Sequence, residues 1–531
     1  MTPRRVLVIA PRAIETALGT RLAARGAVMT SDPSAAADAL VFAPIADRRL
    51  DGATPQDVVA RAAAAANAGA THVVVISSAA VYGASPYTPG FVDEAWEAPP
   101  TYPNRVAAWW TGFEREAARV CAEAAVTILR PAPLLDGDSY VSRLFTGYAA
   151  FTVAGHDPPL QLLALDDLCE AIVRVLDAPA PGVFNVAPAD AITVAAAVRM
   201  ASRWRIPLLH PCLRAATGDA AEFLRFPSTV SSARLATTFG FQPSRSSVAA
   251  LAAFVGADAR DPSSADFDPF GQDRRYIDRY NRTLFRFLSR YYWRIETEGI
   301  ESLPAQGRAV LSGPHRGFMP FDGTMLLHHA VRARGRYVRF LIHPSLMKFP
   351  FLFDFMIKLG GIPACRENAD WVLQHDEIVG IFPEGIHGAF TPYRSAYRLG
   401  KFGRDEFVRT ALRNRAPIVP FATVGSAEIF PILAKIRWRW WERLTDWPYF
   451  PITPTFPLAP VPLPSKWHMR FLPALPLEPT YTPSDADNPR AVRAISDEVR
   501  ARIQGALDDM LARRRFIFFG SIFERRADGA R

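Results

Sequence analysis

The 531-residue sequence predicts a chain of the α/β class, with a domain built on a parallel sheet followed by a second α/β domain. Three observations predict it. The length exceeds what one hydrophobic core organises. Short apolar runs alternate with Ala-rich helical runs over the first 255 residues, as a parallel sheet with crossover helices requires. That alternation stops near Ala257, and a new series of strand signals begins at Ala309.

In the first series, Val6 to Ala10, Ala39 to Phe42, His72 to Ser77 and Val126 to Leu129 read as buried strands. Ala17 to Arg25, Val58 to Ala68 and Trp109 to Ala124 read as the crossover helices, giving a Rossmann-like alternation. Asp258 to Asp273 is rich in Asp, Pro, Ser and Gly without apolar period, the composition of a linker. The expected organisation is therefore a Rossmann-like domain over 1–256, a linker over 257–273 and a second domain over 274–531. Tyr276, Tyr280, Leu284, Phe287, Leu288, Tyr291 and Tyr292 then share one helical stripe, with Arg275, Arg279, Arg282 and Arg286 close by. Such a helix either lies on a membrane surface or packs on its own domain. Ala309 to Leu311, Tyr337 to Ile342, Glu377 to Phe382 and Ile418 to Val424 are the strands of the second domain. Trp438, Trp440, Trp441, Trp447, Tyr449 and Phe450 follow among Arg437, Arg439 and Arg443, a mixture favoured at lipid headgroups. Ala491 to Arg514 closes the chain as an amphipathic helix.

Composition narrows the class further. With 49% hydrophobic and 21% charged residues the chain is globular, which excludes disordered and fibrous proteins. Residues from Gly271 onward hold 39 Lys and Arg against 26 Asp and Glu, net +13, whereas the first 270 residues are net −4. A basic, aromatic-rich half suits an anionic membrane surface. Nucleic acid is the competing partner, but no nucleic-acid motif supports it. Cys121, Cys169, Cys212 and Cys365 are too scattered for a zinc site or a disulfide framework, and no metal site is expected. Met1 to Arg5 leads straight into a strand-like run rather than a secretory signal. The apolar stretch Phe340 to Ala364 is broken by His343, Lys348, Asp354 and Lys358, unlike a membrane span. The expected location is the cytoplasm, attached peripherally to the inner face of the membrane. Oligomeric state cannot be read from the sequence.

The sharpest signal is an ordered set of short motifs: Gly313-Pro314-His315 with Asp322, Gly361-Ile362-Pro363 with Arg366-Glu367-Asn368-Ala369, Phe382-Pro383-Glu384-Gly385, and Ala416-Pro417-Ile418-Val419-Pro420. The set resembles the lysophospholipid/glycerolipid acyltransferase superfamily over roughly Phe285 to Gly520, and the acyl transfer from a thioester to an alcohol that this resemblance implies needs a base of near-neutral pKa, the natural task of histidine. A carboxylate at the other ring nitrogen fixes the tautomer and stabilises the imidazolium. His315 and Asp322 fit these two roles. The resemblance implies an O-acyltransferase of the 1-acylglycerol-3-phosphate acyltransferase kind, with acyl-CoA or acyl-acyl carrier protein as co-substrate, a glycerolipid or lysophospholipid hydroxyl as acceptor and no required cofactor. It also implies that Glu384 and Gly385 help bind the acceptor and that Phe382 and Pro383 of the same motif are substrate-binding. Arg366 stands where the family carries a phosphate-binding arginine, or else forms a surface ion pair with Glu367 or Asp370. Six residues separate His315 from Asp322 where the family commonly has four. The longer spacing resembles the branch of mono- and diacylglycerol acyltransferases.

Val73 to Gly83 (VVVISSAAVYG), Leu129-Arg130-Pro131, Leu165-Asp166-Asp167 and Val183-Phe184-Asn185-Val186 resemble the extended short-chain dehydrogenase/reductases that include nucleotide-sugar epimerases. A dinucleotide turn needs glycines so that backbone amides can approach a pyrophosphate. The matching turn here is Ala10-Pro11-Arg12-Ala13-Ile14-Glu15-Thr16, with side chains where glycines belong. Ser78 keeps the family's serine place and Tyr102 aligns with its tyrosine, but Val106 stands where the lysine should be. The resemblance therefore implies a degenerate domain with doubtful NAD(P) binding, kept as scaffold, binding surface or ligand sensor. Two other readings remain: an NAD(P)-linked reductase or epimerase with an accessory lipid-binding half, and a non-catalytic membrane-associated scaffold.

Overall fold

The computed structural model describes residues 4–32, 36–44, 54–66, 69–137, 139–256, 268–403, 405–456 and 461–523. The chain divides into two compact units, Met1–Gln272 with Pro350–Asp354, and Asp273–Phe349 with Phe355–Arg531. Most of the expected linker, residues 257–267, lies outside the described residues.

In the first unit, β1 (Arg5–Ile9), β2 (Val28–Thr30), β3 (Ala39–Phe42), β4 (His72–Ile76), β5 (Ala125–Pro131) and β6 (Gly182–Val186) form a parallel sheet in the order β6-β5-β4-β3-β1-β2. Helices α1 (Arg12–Ala24), α2 (Pro55–Ala66), α3 (Arg105–Val120) and α4 (Leu165–Asp177) are its crossovers. Successive strand side chains point to opposite faces, so each strand feeds two cores. Val6, Val8 and Val74 pack with Leu18 of α1 and Ile172 of α4, while Leu7, Val73 and Val75 pack with Val59 of α2 and Phe113 of α3. The order reverses between β1 and β3, the crevice where an open α/β sheet receives ligands.

The second unit is a seven-stranded sheet of β7 (Glu296–Glu298), β8 (Ala309–Ser312), β9 (Val338–Ile342), β10 (Ile362–Pro363), β11 (Ile378–Ile381), β12 (Ile418–Val424) and β13 (His468–Phe471). Its order is β7-β13-β12-β8-β11-β9-β10, parallel except for the β12–β13 pair. Helices α5 (Phe321–Arg334), α6 (Arg366–Gln374), α7 (Gly385–Ala389) and α8 (Pro489–Arg513) complete what the site needs. Asn488 caps α8 by accepting from the amides of Arg490 and Ala491, and Val492, Ile495, Val499, Ile503 and Met510 form its buried stripe.

The stripe from Tyr276 to Tyr292 is not one helix. The helix Arg274–Arg282 ends at Thr283 (φ −114°, ψ −99°), and the chain resumes as a short turn, Leu284–Phe287, and a π-helical turn, Leu288–Tyr292. Ile277, Phe285 and Leu288 are buried in the unit's own core, and Leu284, Phe287 and Tyr291 are left exposed. No helix among the described residues is long and apolar enough to cross a membrane.

His328 of α5 is 2% exposed, and burial lowers its pKa from 6.5 to about 4. Its Nδ1 meets Asn281 Oδ1 at 2.8 Å. Between those two values the unfolded imidazole binds a proton that the folded one refuses, so stability falls as pH drops through that window. His328→Gln is expected to flatten the acid limb of stability against pH, measured as urea midpoints from neutral pH downward.

Candidate active site

His315 and Asp322 are brought together at the carboxyl end of β8. Gly313 opens the loop: a Cβ there would lie 2.6 Å from both the ring and the carbonyl oxygen of Phe421, so only glycine lets the chain pass β12. The six residues between His315 and Asp322 are taken up by a tight reversal, with Gly317 at φ +76° and Phe318 at φ +31°. A left-handed phenylalanine is strained, and its surroundings hold it. The Phe318 amide donates to Ala389 O at 3.0 Å, and its ring packs with Phe430 and Phe456 at 5.1 and 5.3 Å. Asp322 then falls on the first turn of α5, where the positive end of the helix dipole favours a carboxylate.

Asp322 Oδ2 lies 3.2 Å from His315 Nδ1 and accepts from the Arg316 amide at 2.7 Å. The Asp322 side chain is buried, whereas that of His315 is 16% exposed. A carboxylate only accepts, so it places the imidazole proton on Nδ1 and leaves the Nε2 lone pair free. The Phe382 ring lies 4.8 Å from that of His315 and stacks on Phe340 at 5.5 Å.

His315 forms part of the wall of a cavity of about 200 Å³ at the carboxyl ends of β8, β9 and β11. Phe318, Leu327, Phe340, Leu346, Met356, Ile386 and Phe390 supply apolar lining, and Thr324, His343 and Ser345 supply polar groups. Among the described residues no Lys, Arg, Asp or Glu lines it. His343 Nδ1 accepts from the Ser345 amide at 3.2 Å, and burial lowers its pKa, so the ring is neutral at physiological pH.

The other residues of the motif set part company. Phe382 and Gly385 line the cavity, and Gly385 adopts φ +57°, which suits glycine at the entry to α7. Pro383 does not line it and accepts from the Gly403 amide at 3.0 Å. Glu384, expected at the acceptor, is committed elsewhere. Its Oε2 takes Arg316 Nη1 at 2.6 Å, and its Oε1 takes Arg316 Nη2 at 3.3 Å and the Gly400 amide at 2.8 Å. Arg316 is 1% exposed and also donates to the carbonyls of His315 and Ala396. Glu384 thus locks the loop after β11 to the residue next to His315. Arg366 begins α6 with its side chain 61% exposed, 3.4 Å from Asp370, and lies outside the cavity lining. Sequence reasoning missed Arg316 and His343. Arg316 is a single cation whose partner is distant in the chain, while His343 directly follows β9 and His315 lies three residues past the end of β8.

In the first unit, Pro11 occupies the N-cap of α1 and Arg12 begins the helix. Glu15 Oε1 accepts from the Ala10 amide at 3.5 Å, placing a carboxylate where a dinucleotide's phosphates would need amides. Ser78 caps a short turn by accepting from the Ala80 amide at 3.1 Å, and the Tyr102 ring lies 5.2 Å from that of Tyr87. Val106 lies on α3. A buried chain crosses this end of the sheet: Ser77 donates to Glu114 at 2.6 Å, Arg130 binds both Glu114 oxygens at 2.9 and 2.7 Å, and Arg130 and Asn185 meet the Tyr82 hydroxyl at 2.8 Å. All four cysteines are unpaired, and no metal-binding cluster of His, Cys, Asp or Glu occurs among the described residues.

Comparison with known proteins places the second unit chemically: residues 294–424 match the Acyltransferase family model, so the chain carries an acyltransferase domain. It is 36% identical over 325 residues to uncharacterized protein Rv0502 of Mycobacterium tuberculosis, covering 59% of this chain and 90% of that one. The chain belongs to the family of that mycobacterial protein. It is also 27% identical over 177 residues to 2-acylglycerol O-acyltransferase 3 of Homo sapiens, covering 31% of this chain and 51% of the human protein. Among solved structures, human epimerase family protein SDR39U1 with NADPH aligns with 48% of this chain and 99% of its own, at 20% identity and a TM-score of 0.38.

Arg316→Met leaves Glu384 charged and buried without its cation, at a cost of about 3–5 kcal/mol. The double variant Arg316→Met/Glu384→Met removes both charges and is expected to recover a large part of that loss, measured by urea unfolding of the three proteins.

Proposed function

We propose that this chain transfers a fatty acyl group from a thioester, acyl-CoA or acyl-acyl carrier protein, to an uncharged glycerolipid hydroxyl at a membrane surface. The observation that carries this reading is a histidine held by a buried carboxylate in the wall of a cavity without charged lining. His315 Nε2 takes the acceptor's hydroxyl proton as that oxygen attacks the thioester carbonyl. The new C–O bond forms, the C–S bond breaks, and the thiolate leaves with the proton carried by the imidazolium. Asp322 stabilises that imidazolium and keeps its ring oriented. No covalent enzyme intermediate is needed, because the acceptor oxygen is itself the nucleophile.

The uncharged lining favours a monoacylglycerol or diacylglycerol acceptor over lysophosphatidate. A phosphate placed there would lose its hydration without gaining a cation, and Arg366 is not part of the lining. Similarity to a human enzyme whose name specifies 2-acylglycerol agrees with this choice.

With labelled acyl-CoA, His315→Ala is expected to abolish transfer, and Asp322→Asn to lower kcat by about 10²–10⁴-fold with KM little changed. Monoacylglycerol is expected to be acylated faster than lysophosphatidate. Undiminished transfer by His315→Ala would sink the mechanism, whereas preference for lysophosphatidate would sink only the choice of acceptor.

For the first unit we propose a role without redox chemistry, supported by Glu15 at the Ala10 amide and by Val106 in place of a lysine. Titration with NADH is expected to show no micromolar binding by fluorescence, and Glu15→Gly alone is expected not to create it.

A further inference from the structure

We infer that residues 433–444 form an interfacial anchor that seats the second unit on an anionic phospholipid bilayer beside the His315 cavity. The inference rests on reading that cavity as a lipid site, and it names the surface through which the site is supplied. Every residue from Leu433 to Trp440 is exposed. The strands Ala434–Ile436 and Phe450–Ile452 pair antiparallel, with the helix Arg439–Thr445 between them. This segment has two unlike faces. On the inner one, Trp441 meets Trp447 at 5.8 Å, and Trp447 packs against Phe318 and Phe390 of the cavity wall at 5.9 and 5.7 Å. On the outer one, Leu433, Trp438, Trp440 and Leu444 are 64%, 50%, 58% and 59% exposed.

Lys435, Arg437, Arg439 and Arg443 are exposed and interleaved with these apolar side chains. Glu442 is the one acid between Leu433 and Leu444. Indole rings prefer the headgroup boundary, and guanidinium groups bind phosphate in a planar fork. Juxtaposed with anionic headgroups, each cation adds attraction while the apolar side chains enter the acyl boundary. A second copy fits this face poorly, because a two-fold contact would set the four cations against their own images with one acid each to offset them. The inner face meanwhile brings the bilayer contact up to the rings that wall the cavity, so a lipid alcohol has a short path out of the membrane.

The test uses the full chain with vesicles of phosphatidylcholine alone and with about 30% phosphatidylglycerol. Wild type is expected to float with the anionic vesicles, with a blue shift of indole emission. Trp438→Ser/Trp440→Ser and Arg437→Glu/Arg439→Glu are each expected to reduce partitioning by about tenfold or more. Both are expected to keep wild-type transfer to a short-chain soluble acceptor while losing transfer to an acceptor embedded in vesicles. His315→Ala is expected to float as wild type does, which separates a failure of the anchor from a failure of the chemistry. Flotation of both surface variants at wild-type levels would overturn the inference. So would a change in their sedimentation mass without any change in flotation, which would make the face a contact between copies.

Discussion

The acyltransferase unit is organised around one buried ion pair, Arg316 with Glu384. It ties the loop that follows β8 to the loop that follows β11, the two neighbouring strands at whose carboxyl ends the cavity opens. Charges so buried are tolerated only when fully partnered. Here the guanidinium also donates to the carbonyls of His315 and Ala396, and the carboxylate also accepts from Gly400. The pair fixes the backbone on one side of His315, and the Asp322 carboxylate fixes the ring from the other. Two ionic contacts of different purpose thus converge on a single imidazole.

Charge is excluded from the space beyond that imidazole. The lining is aromatic and aliphatic, and its second histidine is held neutral by burial. Recognition inside such a cavity rests on shape and on loss of water rather than on ion pairing. The basic character of this half of the chain is carried instead by exposed residues, with Lys435, Arg437, Arg439 and Arg443 grouped on one segment.

Much of this was legible in the residues themselves, for identifiable reasons. Ala39–Phe42 and Ile418–Val424 were bounded to the residue because continuous apolar runs between turn signals define buried parallel strands. The four residues of β13, His-Met-Arg-Phe, carry no such pattern, and pairing to β12 rather than local preference makes them a strand. The stripe from Tyr276 to Tyr292 was continuous in sequence, but spacing carries no sign of the break at Thr283. His315 and Asp322 were named from the family resemblance carried by the ordered motif set, and the demand of acyl transfer for a base and its orienter supplied their expected roles. Glu384 was assigned to the acceptor by resemblance, and spacing cannot reveal that a distant arginine holds both its oxygens. The exposure of Arg366 was equally invisible, since a helix-starting arginine reads the same whether its side chain turns inward or outward. The absence of glycines from the first turn of the first unit was legible, while the return of Glu15 onto the Ala10 amide depends on a helix direction that composition does not specify.

Phe318 belongs to two assemblies at once. Its backbone is the left-handed link that lets a six-residue loop close on Asp322, and its ring lies among Phe390, Phe430, Trp447 and Phe456. The loop that joins His315 to Asp322 is therefore anchored in aromatic packing contributed from far downstream in the chain. Trp447, 5.9 Å from the Phe318 ring, is thus one strained residue away from the loop that carries His315 and Asp322.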